Sequence, residues 1–174
     1  MSLHSDLLEQ ATFLVKREPR RPRQASLRRA ISAAYYSLFH LLIFEASRVF
    51  VRNDDMIGMI ARSYGHSALL RIAKSFARGD LPKKLNPVKA TLGDPSRGAI
   101  FDKLKNVAKS FVDLQQARHE ADYNLRKSFT RSESQAMIEQ AEKATSDWHE
   151  IRNDDLARIF LGCFLVWDDW DKDR

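Results

Sequence analysis

"AISAAYYSLFHLLIF", Ala30 to Phe44, decides the fold. It carries no charged residue, in a chain of which 30% is charged. No strand pattern competes with it. Extended to Gln24 and Val51, it predicts one helix of roughly 40 Å at about 1.5 Å per residue. Leu27, Ala30, Ile31, Ala34, Leu38, Leu42 and Val49 share one stripe of that helix. Ser32, Tyr36 and His40 follow one another at i+4 steps on another face, with Ile43 and Phe44 beside them. A helix that offers no charged face is buried on most sides. It is the central helix of a bundle, or also an interface with a second copy.

Helical periodicity continues on either side of it. One helix spans about Ser5 to Arg17, with Leu7, Ala11, Leu14 and Val15 on its inner face, and "EPRRP" ends it. "RNDD" occurs at Arg52–Asp55 and again at Arg152–Asp155. No repeat extends beyond the tetrapeptide, and Asn or Asp ahead of an apolar run is N-cap chemistry in both places. A third helical region covers about Asp55 to Arg78, interrupted near "SYGH". Gly79 to Gly98 holds three of the six glycines and three of the five prolines, which marks a long connector. Its "GDPSRG" lacks the spacing of a phosphate loop. A fourth helix runs from about Ile100 to Leu125. A fifth opens with Ser132 and Gln135 as a capping box and carries Met137, Ala141, Ala144, Trp148 and Ile151. Leu156 to Trp167 is a further apolar helical run. The expectation is an all-α fold, an antiparallel up-and-down bundle of about five helices. It forms one domain over 1–174, with a long connection between helices three and four and a short acidic tail.

The net charge is +6, unevenly spread. "KREPRRPRQASLRR", Lys16 to Arg29, holds seven basic residues and one acid. It is either a solvated helix entry or a segment that attracts phosphate polyanions. The lone cysteine, Cys163, excludes a disulfide framework and a cysteine zinc site within one chain. The N-terminus has no signal-peptide pattern, and no apolar run reaches the roughly 18 residues of a membrane span. A cytoplasmic protein without membrane contact is expected.

The chemistry gathers in "ARHEADYNL", Ala117 to Leu125. Leu104, Val107, Phe111 and Leu114 form the apolar stripe of the fourth helix. Arg118, Ala121, Asp122 and Leu125 continue that stripe, and His119 and Tyr123 form a second i, i+4 pair about 100° round. Two readings stay open. Arg118 and Asp122 form an ion pair that packs the helix end, in the less favourable order of cation before acid. Alternatively, Arg118 holds an anion such as phosphate. Ser32, Tyr36 and His40 are either a satisfied polar seam or the opposite lining of the same cleft.

"RRAISAAYYSLFHLLIFEA" and "LQQARHEADYNL", followed by "FTRSESQAMIEQAEKA", together resemble the HEPN family (higher eukaryotes and prokaryotes nucleotide-binding domain). The two main motifs stand in the family's order, about 80 residues apart. The resemblance covers roughly Leu7 to Trp148. It implies a helical bundle that forms a homodimer and binds RNA or a nucleotide, with no cofactor and no metal. Many members are metal-independent endoribonucleases, often toxins paired with a minimal nucleotidyltransferase. Others are non-catalytic binding modules.

Active members carry an Arg, a polar residue and then a His after four to six intervening residues. The Arg stabilises the phosphate and the His moves a proton at the ribose 2′-hydroxyl. Arg118 matches the Arg and His119 the polar residue. Tyr123, Asn124 and Leu125 stand where the His belongs, and a tyrosine phenol is a poor base at neutral pH. The resemblance thus points to Arg118, His119 and Tyr123 as the catalytic set of a degenerate ribonuclease site. Ser32, Tyr36, His40 and Asp122 would line its substrate side, with Arg29 extending the seam. A binding module, or a protein-interaction partner without chemistry, remains the alternative. No histidine pair has metal-ligand spacing. Trp148, Trp167 and Trp170 suit core or interface anchors better than base-stacking platforms.

Overall fold

A computed structural model describes residues 2–92 and 97–171. Every regular element among them is helical. The helices are α1 (Leu3–Lys16), α2 (Gln24–Phe50), α3 (Asp54–Ala61), α4 (His66–Arg78), α5 (Asn86–Leu92), α6 (Gly98–Tyr123), α7 (Arg131–Ile151) and α8 (Asp155–Asp171). The all-α class read from periodicity is the class observed, with more and shorter helices than the expected five.

The extra helices have local causes. The third region divides at "SYG", where Gly65 is extended (φ −90°, ψ 141°) and opens α4. Gly79 closes α4 at φ 70°, a left-handed conformation that a side chain disfavours. Its amide donates to Phe76 O and Ser75 O, and the Asp80 amide also donates to Ser75 O at 3.0 Å. The connector after it is not structureless. It holds a 3-10 turn, Lys83–Leu85, and the two-turn α5. Pro87 sits in the first turn of α5, where a missing amide costs no helical hydrogen bond. Leu81, Leu85 and Val88 are buried and tie the segment down. Residues 93–96, most of "GDPSRG", lie outside the described residues.

The caps refine the sequence reading. Asn53 Oδ1 accepts from the Asp55 and Met56 amides at the start of α3. In the second "RNDD" the cap is Asp154, whose Oδ1 accepts from the Leu156 amide at 2.8 Å. The capping box of α7 is Thr130 with Glu133, rather than Ser132 with Gln135. The Glu133 amide donates to Thr130 Oγ1 at 3.1 Å, and the Thr130 amide donates back to Glu133 Oε2 at 2.7 Å. This Thr-x-x-Glu pattern satisfies two donors reciprocally, which Ser132 and Gln135 inside the helix do not.

The chain divides into two compact units. The first holds Met1–Leu41 and Ser110–Thr145. Its core gathers Ala11 and Val15 of α1, Leu27, Ile31, Ala34, Tyr35 and Leu38 of α2, Phe111 and Leu114 of α6, and Ile138, Ala141 and Ala144 of α7. Tyr35 and Phe111 meet at 5.5 Å between ring centres. No residue from Ala30 to Ile43 is exposed, in line with a charge-free run that is buried on most sides. The second unit holds Leu42–Lys109 and Ser146–Arg174. Phe160 is its hub, edge-on to Phe76 at 4.9 Å and to Phe164 at 5.2 Å, with the fully buried Trp148 at 6.3 Å. Trp167 is buried here too, as expected of an anchor, while the Trp170 side chain lies outside the described ones. No helix among the described residues is long and apolar enough to cross a membrane.

Candidate functional site

The first unit brings the two sequence motifs together, one on α2 and one on the last turns of α6. Arg118 is the meeting point. Its Nη2 donates to the Tyr36 hydroxyl at 2.8 Å. Its Nε stands 2.8 Å from Asp122 Oδ2, an ion-pair contact without the alignment of a hydrogen bond. The other carboxylate oxygen of Asp122 accepts from Ser32 Oγ at 2.6 Å. Ser32, Asp122, Arg118 and Tyr36 therefore form one chain of contacts from α2 to α6 and back. Four-residue spacing on both helices explains it, since i and i+4 side chains lie one above the other.

Arg118 is also held by rings. Its Cζ lies 5.4 Å from the centre of the Tyr36 ring and 5.5 Å from that of Tyr123, within cation–π range. Burial acts to lower its pKa, but Tyr36, Asp122 and Tyr123 outweigh burial and raise it, so it remains a cation. The side chains of Arg118 and Asp122 are each 21% exposed, so the ion pair is neither in the core nor on a solvated face.

Outside this network the helix end opens to solvent. Tyr123 is 63% exposed, and His119 is exposed with its ring 5.1 Å from that of Tyr123. Gln116, His119, Glu120, Tyr123, Asn124 and Arg126 line a shallow depression there. On the inner side, His40 lies half-buried against Tyr36 (6.2 Å) and Phe39 (5.4 Å). Burial lowers its pKa.

Two sequence expectations need correction. Leu125 does not continue the apolar stripe. α6 ends at Tyr123, and Leu125 is 88% exposed. Arg29 does not extend the α2 seam, because it is exposed. Arg28 takes that place, one i+4 step before Ser32. Its Nη1 donates to Ala121 O at 2.6 Å, and its Nη2 donates to Asn124 O at 2.9 Å and to Lys127 O. Phe129 packs on its guanidinium at 5.5 Å. Arg28 thus donates to one carbonyl in the last turn of α6 and to two in the turn that follows it, where a cation also suits the negative end of the helix. The four-residue ladder Arg28, Ser32, Tyr36 and His40 was present in the sequence and would have singled it out.

A second depression in the same unit, about 440 Å³, has Ile31, Ala117, Phe129 and Met137 among its lining. Its acids are engaged already: Asp113 by Gln140, Glu120 by Lys127 and Glu133 in the cap of α7. Among the described residues no group of three His, Cys, Asp or Glu is placed to hold a metal ion.

No family model matches the chain, and neither a curated protein nor a solved structure does.

Proposed function

We propose that the protein is a HEPN-like domain that binds RNA or a nucleotide at the end of α6. One observation carries this reading. Arg118 is a partly open guanidinium, fixed by Tyr36 and Asp122 and flanked by the exposed rings of Tyr123 and His119. A guanidinium held in one direction recognises a phosphate, and exposed rings beside it accept a stacked base. Binding is favoured over cleavage, because Tyr123 stands where the family's proton-transferring histidine belongs. Residual endoribonuclease activity would have to use His119, the exposed imidazole next to Arg118. The same reading takes the protein as a homodimer with two such sites facing one cleft, and as a partner for a nucleotidyltransferase.

Arg118→Ala tests the site. Binding of a labelled oligoribonucleotide, followed by fluorescence anisotropy, should fall at least tenfold, about 1.4 kcal/mol, for loss of a charge-assisted phosphate contact. The helical circular dichroism should persist. Unchanged affinity removes Arg118 from the site and leaves a protein-interaction module as the better reading.

A further inference from the structure

We infer that the turns α1–α2 and α6–α7 form one composite basic surface that carries the phosphate backbone of a single-stranded RNA away from Arg118. This rests on the RNA reading above and narrows it from nucleotide to polymer.

The two turns are far apart in sequence and stitched together in the first unit. Gln24 donates its Nε2 to Phe129 O at 2.8 Å and accepts from the Phe129 amide at 2.9 Å. Arg131 donates to Glu18 O. Arg28 grips the carbonyls of Ala121, Asn124 and Lys127. These contacts fix the two turns as one surface at the end of α6 that bears Tyr123.

That surface is strongly cationic. Lys16 to Arg23 contains five basic residues and one acid, and Asn124 to Arg131 contains three basic residues and no acid. The acid, Glu18, is occupied: Ser26 Oγ donates to it at 3.0 Å and Arg17 stands 3.8 Å away. Lys127 pairs with Glu120, and Arg131 is spent on the Glu18 carbonyl. Arg20, Arg21, Arg23 and Arg126 are exposed, and among the described residues no side chain pairs with theirs. Pro19 and Pro22 stiffen the segment between them. Unpaired arginines held on a stiff turn, with no apolar stripe of their own, suit a repeating phosphate polyanion. Exposed Tyr123 and His119 at the edge favour a single strand, whose bases are free to stack, over a duplex or a lipid surface.

The test uses the full chain, a labelled twelve-nucleotide single-stranded RNA and AMP as separate probes. The triple variant Arg20→Ala, Arg21→Ala, Arg23→Ala removes three exposed side chains that pair with no other side chain among the described residues, and circular dichroism verifies its fold. Each lost phosphate contact lowers the slope of log K against log salt by about 0.7, so the slope should fall by about 2. At about 0.1 M salt that corresponds to roughly a hundredfold weaker RNA binding, if the electrostatic part vanishes near 1 M. AMP binding should not change. A wild-type slope in the triple variant overturns the inference, and so does wild-type protein that binds no RNA. Binding to phosphatidylserine vesicles instead, lost in the triple variant, would make the surface a lipid contact and also overturn it. The two readings separate cleanly. If Arg118→Ala keeps RNA affinity while the triple variant loses it, the basic surface stands and the Arg118 site falls.

Discussion

Asp122→Asn distinguishes an anion-binding Arg118 from one that merely packs a helix end. The asparagine Oδ1 still accepts from Ser32 Oγ, and its volume is nearly unchanged, so the α2–α6 contact survives. The carboxylate charge leaves, and an amide Nδ2 replaces the oxygen that faces Arg118 Nε, so Tyr36 alone still holds the guanidinium. A phosphate on the open side of Arg118 would stand roughly 6 Å from that carboxylate, by extension from the 2.8 Å ion pair. With 21% exposure on both side chains, the effective dielectric lies between protein surface and water, about 40–80. Coulomb's law then gives about 0.7–1.4 kcal/mol of repulsion removed. RNA or AMP should bind about three- to tenfold tighter. The stability cost is small, about 0.3–1 kcal/mol for a part-exposed i, i+4 pair in its less favourable order. Anisotropy titrations and urea unfolding on the same preparation measure both quantities. Unchanged affinity with the fold intact refutes the anion site and leaves Asp122 as a packing partner, whereas weaker binding shows that the hold of Asp122 on Arg118 outweighs its repulsion of the anion.

Two further predictions concern the frame around the site. Arg28→Ala deprives three carbonyls near the end of α6 of a charged donor and should cost about 2–4 kcal/mol in urea unfolding, with Arg28→Lys recovering less than half because an ammonium cannot fork. A loss under about 1 kcal/mol would mean that water replaces Arg28 fully. His40 gives a pH dependence: burial holds its folded pKa below the usual 6.5, so as pH falls the unfolded chain takes the proton first. Stability is therefore full above about 6.5 and is lost as pH falls toward the lower folded value. The urea midpoint should drop between about pH 7 and pH 5, and His40→Phe should flatten that drop; an identical drop in the variant assigns it to other groups.

The helical class was legible because hydrophobic period is a local signal, and α1, α2, α6 and α7 begin and end within about two residues of their expected limits. The meeting of Ser32 and Tyr36 with Arg118 and Asp122 was legible as two ladders, though not as one network, since pairing across helices is a tertiary fact. The misses have physical causes. α5 escaped the reading because the glycines and prolines of Gly79–Gly98 signal a connector, yet Pro87, its one proline, falls in the one turn where proline costs nothing. The α7 cap lies two residues earlier than expected because Thr130 with Glu133 and Ser132 with Gln135 both fit a capping box, and where the chain turns into the helix decides between them. Arg29 stands three residues before Ser32 and Arg28 four, and the i+4 ladder places Arg28 on the seam.

Stability is a weak account of that seam. An ion pair withdrawn from water recovers little more than its desolvation cost, and apolar side chains of similar volume often hold such a place as well. Ser32 is 3% exposed and Asp122 is 21% exposed, so both are drawn out of water to serve the network. Four apolar residues would pack α2 on α6, but they would not aim a charge. The observed arrangement does. Tyr36 and Asp122 fix the guanidinium of Arg118 from two sides, Arg28 fixes the helix end on which it stands, and the remaining fifth of the Arg118 side chain meets solvent beside Tyr123. A fixed, half-open cation needs no reorganisation when an anion arrives, and that is the physical advantage of building polar contacts into an otherwise apolar packing face.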